Sequence, residues 1–198
     1  MATIGLSKPY YALYSNEDSV VTYTGCAKLA KAVEFSMELE GSDANVLYAD
    51  NGPAESATQF SGGTMSITPD DLMPEEAAAI LGLTLQEITN ESIQTTTPKE
   101  LVFGEKQVVP YLGFGVIIKK QKDNVTKYMG LVLPKIQFSN PGISAVTQGE
   151  TIDWQTPELS ATIMRDDTAD HNWCRYALLD SEADAEAYIK GLLGGAAA

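Results

Sequence analysis

The densest run of chemistry-bearing side chains is Arg165-Asp166-Asp167-Thr168-Ala169-Asp170-His171. Three carboxylates and an imidazole are the donor types of a divalent-cation site or of general acid–base chemistry. Asp and Thr are equally the ordinary residues of a turn between strands, and the run lacks the glycine and terminal glutamate of a calcium loop. The turn is the favoured reading. His171 is the sole histidine, which excludes a His-pair metal site and any mechanism needing two imidazoles. Cys174 follows it by three residues. On a strand that spacing places the two on opposite faces, a poor arrangement for a thiolate–imidazole pair, and a buried reduced thiol is expected instead. Cys26 is the only other cysteine, so a disulfide scaffold and a four-cysteine zinc site are both excluded. A Cys26–Cys174 pair stays open, but nothing in the sequence supports an oxidising compartment. Gly113-Phe114-Gly115 begins like a dinucleotide fingerprint. Ile118 stands where the third glycine belongs and no helix follows, so close packing of a strand explains the glycines better. No catalytic set survives, and no enzymatic activity, cofactor or metal is expected.

The elements that would position any site belong to one domain. The chain has 198 residues, 44% of them hydrophobic, which suffices for a core without staples. No run approaches the ~20 apolar residues of a transmembrane helix, and the start, MATIGLSKPYYALYS, lacks the pattern of a secretory signal. The formal net charge is −14. Residues 1–100 hold 15 acids against 4 bases, and residues 101–198 hold 12 against 9. A duplex-binding protein needs a basic footprint, so tight nonspecific binding to nucleic acid or to an anionic membrane is not expected, while repulsion of nucleic acid stays open.

Strand patterning dominates. In Ala32–Glu40, AVEFSMELE, the residues Val33, Phe35, Met37 and Leu39 alternate with Glu34, Ser36, Glu38 and Glu40. This strict period of two gives an apolar face and an acidic one. An ordinary solvent-facing sheet would also read this way. Residues 41–56, GSDANVLYADNGPAES, read as a long loop punctuated by Gly41, Asn51, Gly52 and Pro53. Val46, Leu47 and Tyr48 at its centre need cover, from this domain or from a neighbouring molecule. Residues 57–68 resume as strand, with a bulge or bend at Gly62-Gly63. A helix follows, with Asp70 or Asp71 as cap, Pro74, Glu75 and Glu76 in the first turn, and Gly82 at the end.

Residues 84–107 read as a connector with at most one short strand. Val108–Lys120 and Val125–Phe138 form a long hairpin candidate around Lys122-Asp123-Asn124, and both of its faces are apolar enough to be buried. Lys119, Lys120, Lys122 and Lys127 cluster at its tip, a candidate subunit contact on an acidic protein, although lysines on a hairpin turn are also ordinary. Residues 150–165 and 173–179 are further strands. A C-terminal helix spans 181–193, capped by Ser181, with Ala185, Tyr188, Ile189 and Leu192 as its apolar stripe.

The order of these pieces resembles the major tail protein of long-tailed, non-contractile bacteriophages, the subunit of the tail tube. The opening MATIGLSKPYYALY, the AKAVEFSMELE strand, the ANVLYADNGPAES loop and TMSITPDDL with PEEAAAILG carry the likeness, which covers most of the chain and is strongest over residues 1–85. The resemblance implies a mainly β sandwich or barrel with one packed helix and a C-terminal helix. It implies hexameric rings stacked into a hollow tube through which DNA passes to the host without specific binding. It places the subunit in the virion after assembly in the bacterial cytoplasm, with a tape-measure protein and a tail terminator as partners and no membrane. It matches Ala32–Glu40 and Ala57–Thr68 to the first pair of inner strands, the 108–138 hairpin to the second, and 41–56 to a loop reaching the next ring. Under it, Glu34, Ser36, Glu38 and Glu40 line the lumen, and Val46, Leu47 and Tyr48 make inter-ring contacts. The alternative is a monomeric β-sandwich binding module, for carbohydrate, using Tyr10, Tyr11, Trp154 and Trp173 as an aromatic platform.

Overall fold

Alternation in the sequence becomes strand in the structure, a computed structural model. It describes residues 1–41, 45–49, 52–57, 60–88, 92–93, 98–143, 145–147 and 155–195, with the backbone alone over 45–49 and 52–57. The order is β1 (Ala2–Glu17), β2 (Val20–Lys28), β3 (Ala32–Gly41), β4 (Asn45–Ala49), β5 (Gly52–Ala57), β6 (Phe60–Pro69) and α1 (Pro74–Leu81). Then come β7 (Thr84–Glu87), β8 (Lys99–Val102), β9 (Leu112–Lys122), β10 (Val125–Phe138), β11 (Leu159–Met164), β12 (Arg175–Leu179) and α2 (Glu182–Leu192). The fold is mainly β with two helices, as the patterning predicts.

The main sheet is antiparallel and runs β2-β1-β9-β10-β11-β6-β3, with β12 also on β10. The β1–β2 and β9–β10 hairpins turn through residue pairs with both φ positive. These are Asp18 and Ser19 at 51° and 65°, and Asp123 and Asn124 at 50° and 62°. Such two-residue turns match the twist of the strands they join. Strand β10 serves two parts of the sheet. Its first half pairs with β12 and its last residues, Lys135–Phe138, pair with β11. The switch falls at Pro134, which has no N–H to give to a ladder, and the β9 register slips between Leu133 and Ile136. The Tyr23 hydroxyl donates to the Pro134 carbonyl at 2.9 Å and holds the bend against β2.

Two apolar clusters fill the molecule. The larger lies within the curved sheet and under α1, with Phe114, Leu133, Ile136, Met65, Ile67 and Ile163 fully buried. The smaller lies under α2, where Ala185, Ile189 and Leu193 meet Tyr10, Ala12, Ile117 and Val132. The glycines of the partial fingerprint make room for that helix. A Cβ at Gly113 would lie 2.6 Å from Leu193, and one at Gly115 only 2.4 Å from Ile189. Close packing, not phosphate binding, is their observed role.

Several expected boundaries move. The segment 41–56 is not an unstructured loop, since β4 and β5 pair as an antiparallel ribbon. Backbone pairing is the cheapest way for so long an excursion to satisfy its N–H and C=O groups. The connector 84–107 holds two short paired strands, β7 and β8. The hairpin arm starts at Leu112 rather than Val108, because Pro110 intervenes and the Val109 carbonyl accepts from the Gln137 side chain instead. The later strands begin at Leu159 and Arg175. Neither Asp70 nor Asp71 caps α1. The cap position is Met73, whose N–H donates to the Glu76 carboxylate at 3.2 Å, while Asp70 accepts the Lys31 N–H at 2.8 Å. Proline at the first helical position fixes that start. The Ser181 cap of α2 is where the sequence puts it, whereas the irregularity expected at Gly62-Gly63 falls between Phe60 and Gly62.

Candidate functional site

The acidic strand keeps its two faces in three dimensions. On β3 the side chains of Phe35 and Met37 pack on the core, while Glu34, Ser36, Glu38 and Glu40 are exposed. The cross-strand partners carry the pattern sideways. Glu34 lies opposite Thr68, Ser36 opposite Ser66 and Glu38 opposite Thr64, and β6 passes it on to Ser160 and Thr162 of β11. Directly opposed residues share a face. The outer surface of β3, β6 and β11 is therefore a field of carboxylates and hydroxyls, and these three strands carry no Lys or Arg. Close approach of Gly63 to the Glu38 carbonyl, where a Cβ would sit at 2.8 Å, keeps the two strands tight in this region. Chemically such a surface repels phosphates over about a Debye length and offers them no cation from these three strands.

The lysine cluster at the hairpin tip is split by the register. Lys120 lies opposite Lys127, and Lys119 opposite Tyr128, whose ring centre is 6.0 Å from its ammonium. Lys127 is taken up in an ion pair with Asp180 at the entry to α2. Lys120 and Lys122 form no salt bridge among the described residues. Val46, Leu47 and Tyr48 lie on β4, and their side chains fall outside the described residues.

The run from 165 to 171 is a locked turn. The Asp167 carboxylate pairs with Lys135 at 2.7 Å and accepts from the Tyr14 hydroxyl at 2.7 Å, and these contacts hold it below the usual carboxylate range. Lys135 lies between the rings of Tyr14 and Tyr111, at 5.1 and 4.7 Å. Buried Asp166 accepts from the N–H and hydroxyl of Thr168. His171 takes a left-handed backbone, φ 49°, with Nδ1 3.2 Å from the Asp166 carbonyl. Among the described residues no group of His, Cys, Asp and Glu is placed to hold a metal ion. Cys174 precedes β12 rather than lying in it; both thiols are free, and burial pushes each up. No helix among the described residues is long and apolar enough to cross a membrane.

Tyr10, Tyr11 and Trp173, the three of these aromatics among the described residues, do not converge. Tyr10 belongs to the cluster under α2 and Tyr11 to the main core, both 7% exposed. Trp173 stacks on Phe60 at 4.5 Å, and Trp154 lies outside the described residues.

One polar centre joins an i,i+4 pair, readable from the sequence, to residues far away along the chain. Glu186 on α2 is paired with Lys190 at 2.7 Å and Lys8 at 2.6 Å and accepts from the Tyr10 hydroxyl at 2.7 Å. Those contacts pull its carboxyl down to about 2. Only the fold brings residues 8 and 186 together. No protein-family model and no curated protein matches the chain.

Proposed function

We propose that the chain is a structural subunit without enzymatic activity that assembles with copies of itself into hexameric rings stacked as the hollow tail tube of a bacteriophage virion. The observation that carries this reading is the combination of an acidic, hydroxyl-rich sheet face with a border strand, β3, that is paired along one edge only. Among the described residues β3 pairs with β6 alone, its ten residues carry no proline to interrupt the outer ladder, and only its three glutamates guard that edge. A monomer that kept such an edge bare would invite uncontrolled pairing, and a closed ring removes the edge. In that ring Glu34, Ser36, Glu38 and Glu40 face the lumen and keep a passing DNA backbone from sticking. The β4–β5 ribbon reaches the adjoining ring through Val46, Leu47 and Tyr48. The tape-measure protein, tail terminator and assembly in the host cytoplasm follow from the tail-tube resemblance alone.

Negative-stain electron microscopy of the purified protein across a concentration series tests the reading. Hollow rings or tubes are expected. Small featureless particles at every concentration, together with a monomeric sedimentation coefficient, would reject self-assembly of the free subunit and return weight to a binding module.

A further inference from the structure

Charge is distributed along the chain in a way that says which surfaces of two copies fit together. From residue 32 to residue 98 the sequence carries twelve Asp or Glu and no Lys or Arg. That stretch contains β3, whose free edge is crowded only at its start. There β1 lies beside it across a cleft lined by Ile4, Leu6, Val33, Phe35 and Ile118. Beyond the cleft, Ser36–Gly41 pairs with β6 on one side only. Its exposed polar side chains there are Ser36, Glu38 and Glu40, and Leu39 on the other face is 46% exposed.

A second free edge has the opposite character. Among the described residues β12 pairs with β10 alone. Arg175 is exposed and forms no salt bridge among the described residues. Tyr176 and Leu178, on the alternate face, are 68% and 49% exposed and lie two residues apart on one strand. The two edges therefore match in alternation as well as sign. An apolar pair on β12 meets an apolar border on β3, while a guanidinium meets two carboxylates. β2, another strand with one partner, fits less well. Gly25, in the left-handed region at φ 66°, and a register slip opposite Tyr11–Leu13 interrupt its ladder.

We infer that the β12 edge of one copy, through Arg175, Tyr176 and Leu178, adds as a strand to the Ser36–Gly41 edge of β3 in the next copy. The contact is head to tail, so each copy uses both edges and a ring closes without leaving either bare. It rests on the assembly reading proposed above and deepens it by naming the two surfaces. Backbone hydrogen bonds supply most of the attraction, and the Arg175–Glu38/Glu40 match fixes register and excludes β3–β3 pairing, in which like charges would face each other.

Charge reversal with cross-rescue tests it, read by sedimentation velocity and negative stain. Arg175→Glu places a carboxylate against Glu38 and Glu40, and Glu38→Lys with Glu40→Lys places ammoniums against Arg175. Each variant alone is expected to need at least about tenfold more protein to assemble. An equimolar mixture restores wild-type assembly, because each copy then offers the edge that the other lacks. All three positions are exposed, and matching thermal melts confirm folding. Either variant assembling like the wild type, or a mixture that stays dispersed, overturns this contact and leaves self-assembly standing. A wild type that never assembles sinks both. Hydrogen exchange on wild-type assemblies gives a readout without substitutions: amides of 36–41 and 175–179 slow on assembly, and unchanged exchange there overturns the pairing.

Discussion

The two outward faces of the sheet are finished in opposite ways. Over β1, β9 and β10 the surface is closed by α2. Three glycines on the strands make a groove for it, Ile189 is fully buried, and Glu186 ties the helix to Lys8 and Tyr10 of β1. Over β3, β6 and β11 the surface is acidic and hydroxyl-rich, no helix packs on it among the described residues, and β3 at its border has one strand partner. The first face spends its apolar surface inside the subunit. The second retains carboxylates that cost little in water and leaves backbone groups available to another chain.

Substitutions should separate the faces by size and kind of effect. The largest loss is expected from Ile189→Ala, which empties a fully buried site under α2; about 2–5 kcal/mol of stability is lost, read by urea unfolding. A loss under 1 kcal/mol would mean that α2 packs loosely and that the two faces are less different than they look.

Glu186→Gln comes next, at about 1–2 kcal/mol after discounting for solvent screening. Its pH dependence has a definite sign. The folded carboxyl sits at about 2, below the ordinary value of 4.5, so its contribution is present above about 4.5 and is lost as pH falls towards 2. The wild type should therefore lose its advantage over the Gln variant across that window in acid titrations of thermal stability. A constant gap from pH 6 to pH 2 would contradict the charged hub.

The smallest stability effect is expected on the open face. Glu34→Lys, at an exposed position away from the proposed paired edge, should change stability by no more than about 0.5 kcal/mol. It should leave particles intact yet slow DNA release in virions carrying it; unaltered release would remove Glu34 from the lumen.

Legibility in the sequence follows the same division. Glu34, Ser36, Glu38 and Glu40 are readable because period two in a single strand is a local property. So are the Asp123-Asn124 turn and the Ser181 cap, where a side chain bonds within its own few residues. The β4–β5 ribbon was harder. Val46-Leu47-Tyr48 has no alternation, and pairing there is decided between segments rather than within one. Residues 1–31 gave no element at all by pattern. There Lys8, with φ 49°, and Pro9 break β1 at its middle and offset its register against β9.

What the sequence alone determined is the mainly β class, the acidic face of β3 and most helix and turn positions, because each rests on neighbours within a few residues. Tertiary structure alone decided that β10 changes partners at Pro134, that Gly113 and Gly115 lie under a helix, and that Lys8 and Glu186 meet. It also decided that β3 and β12 are left with open edges. Each of these depends on which distant segments lie side by side, and a pattern read along the chain carries no record of that.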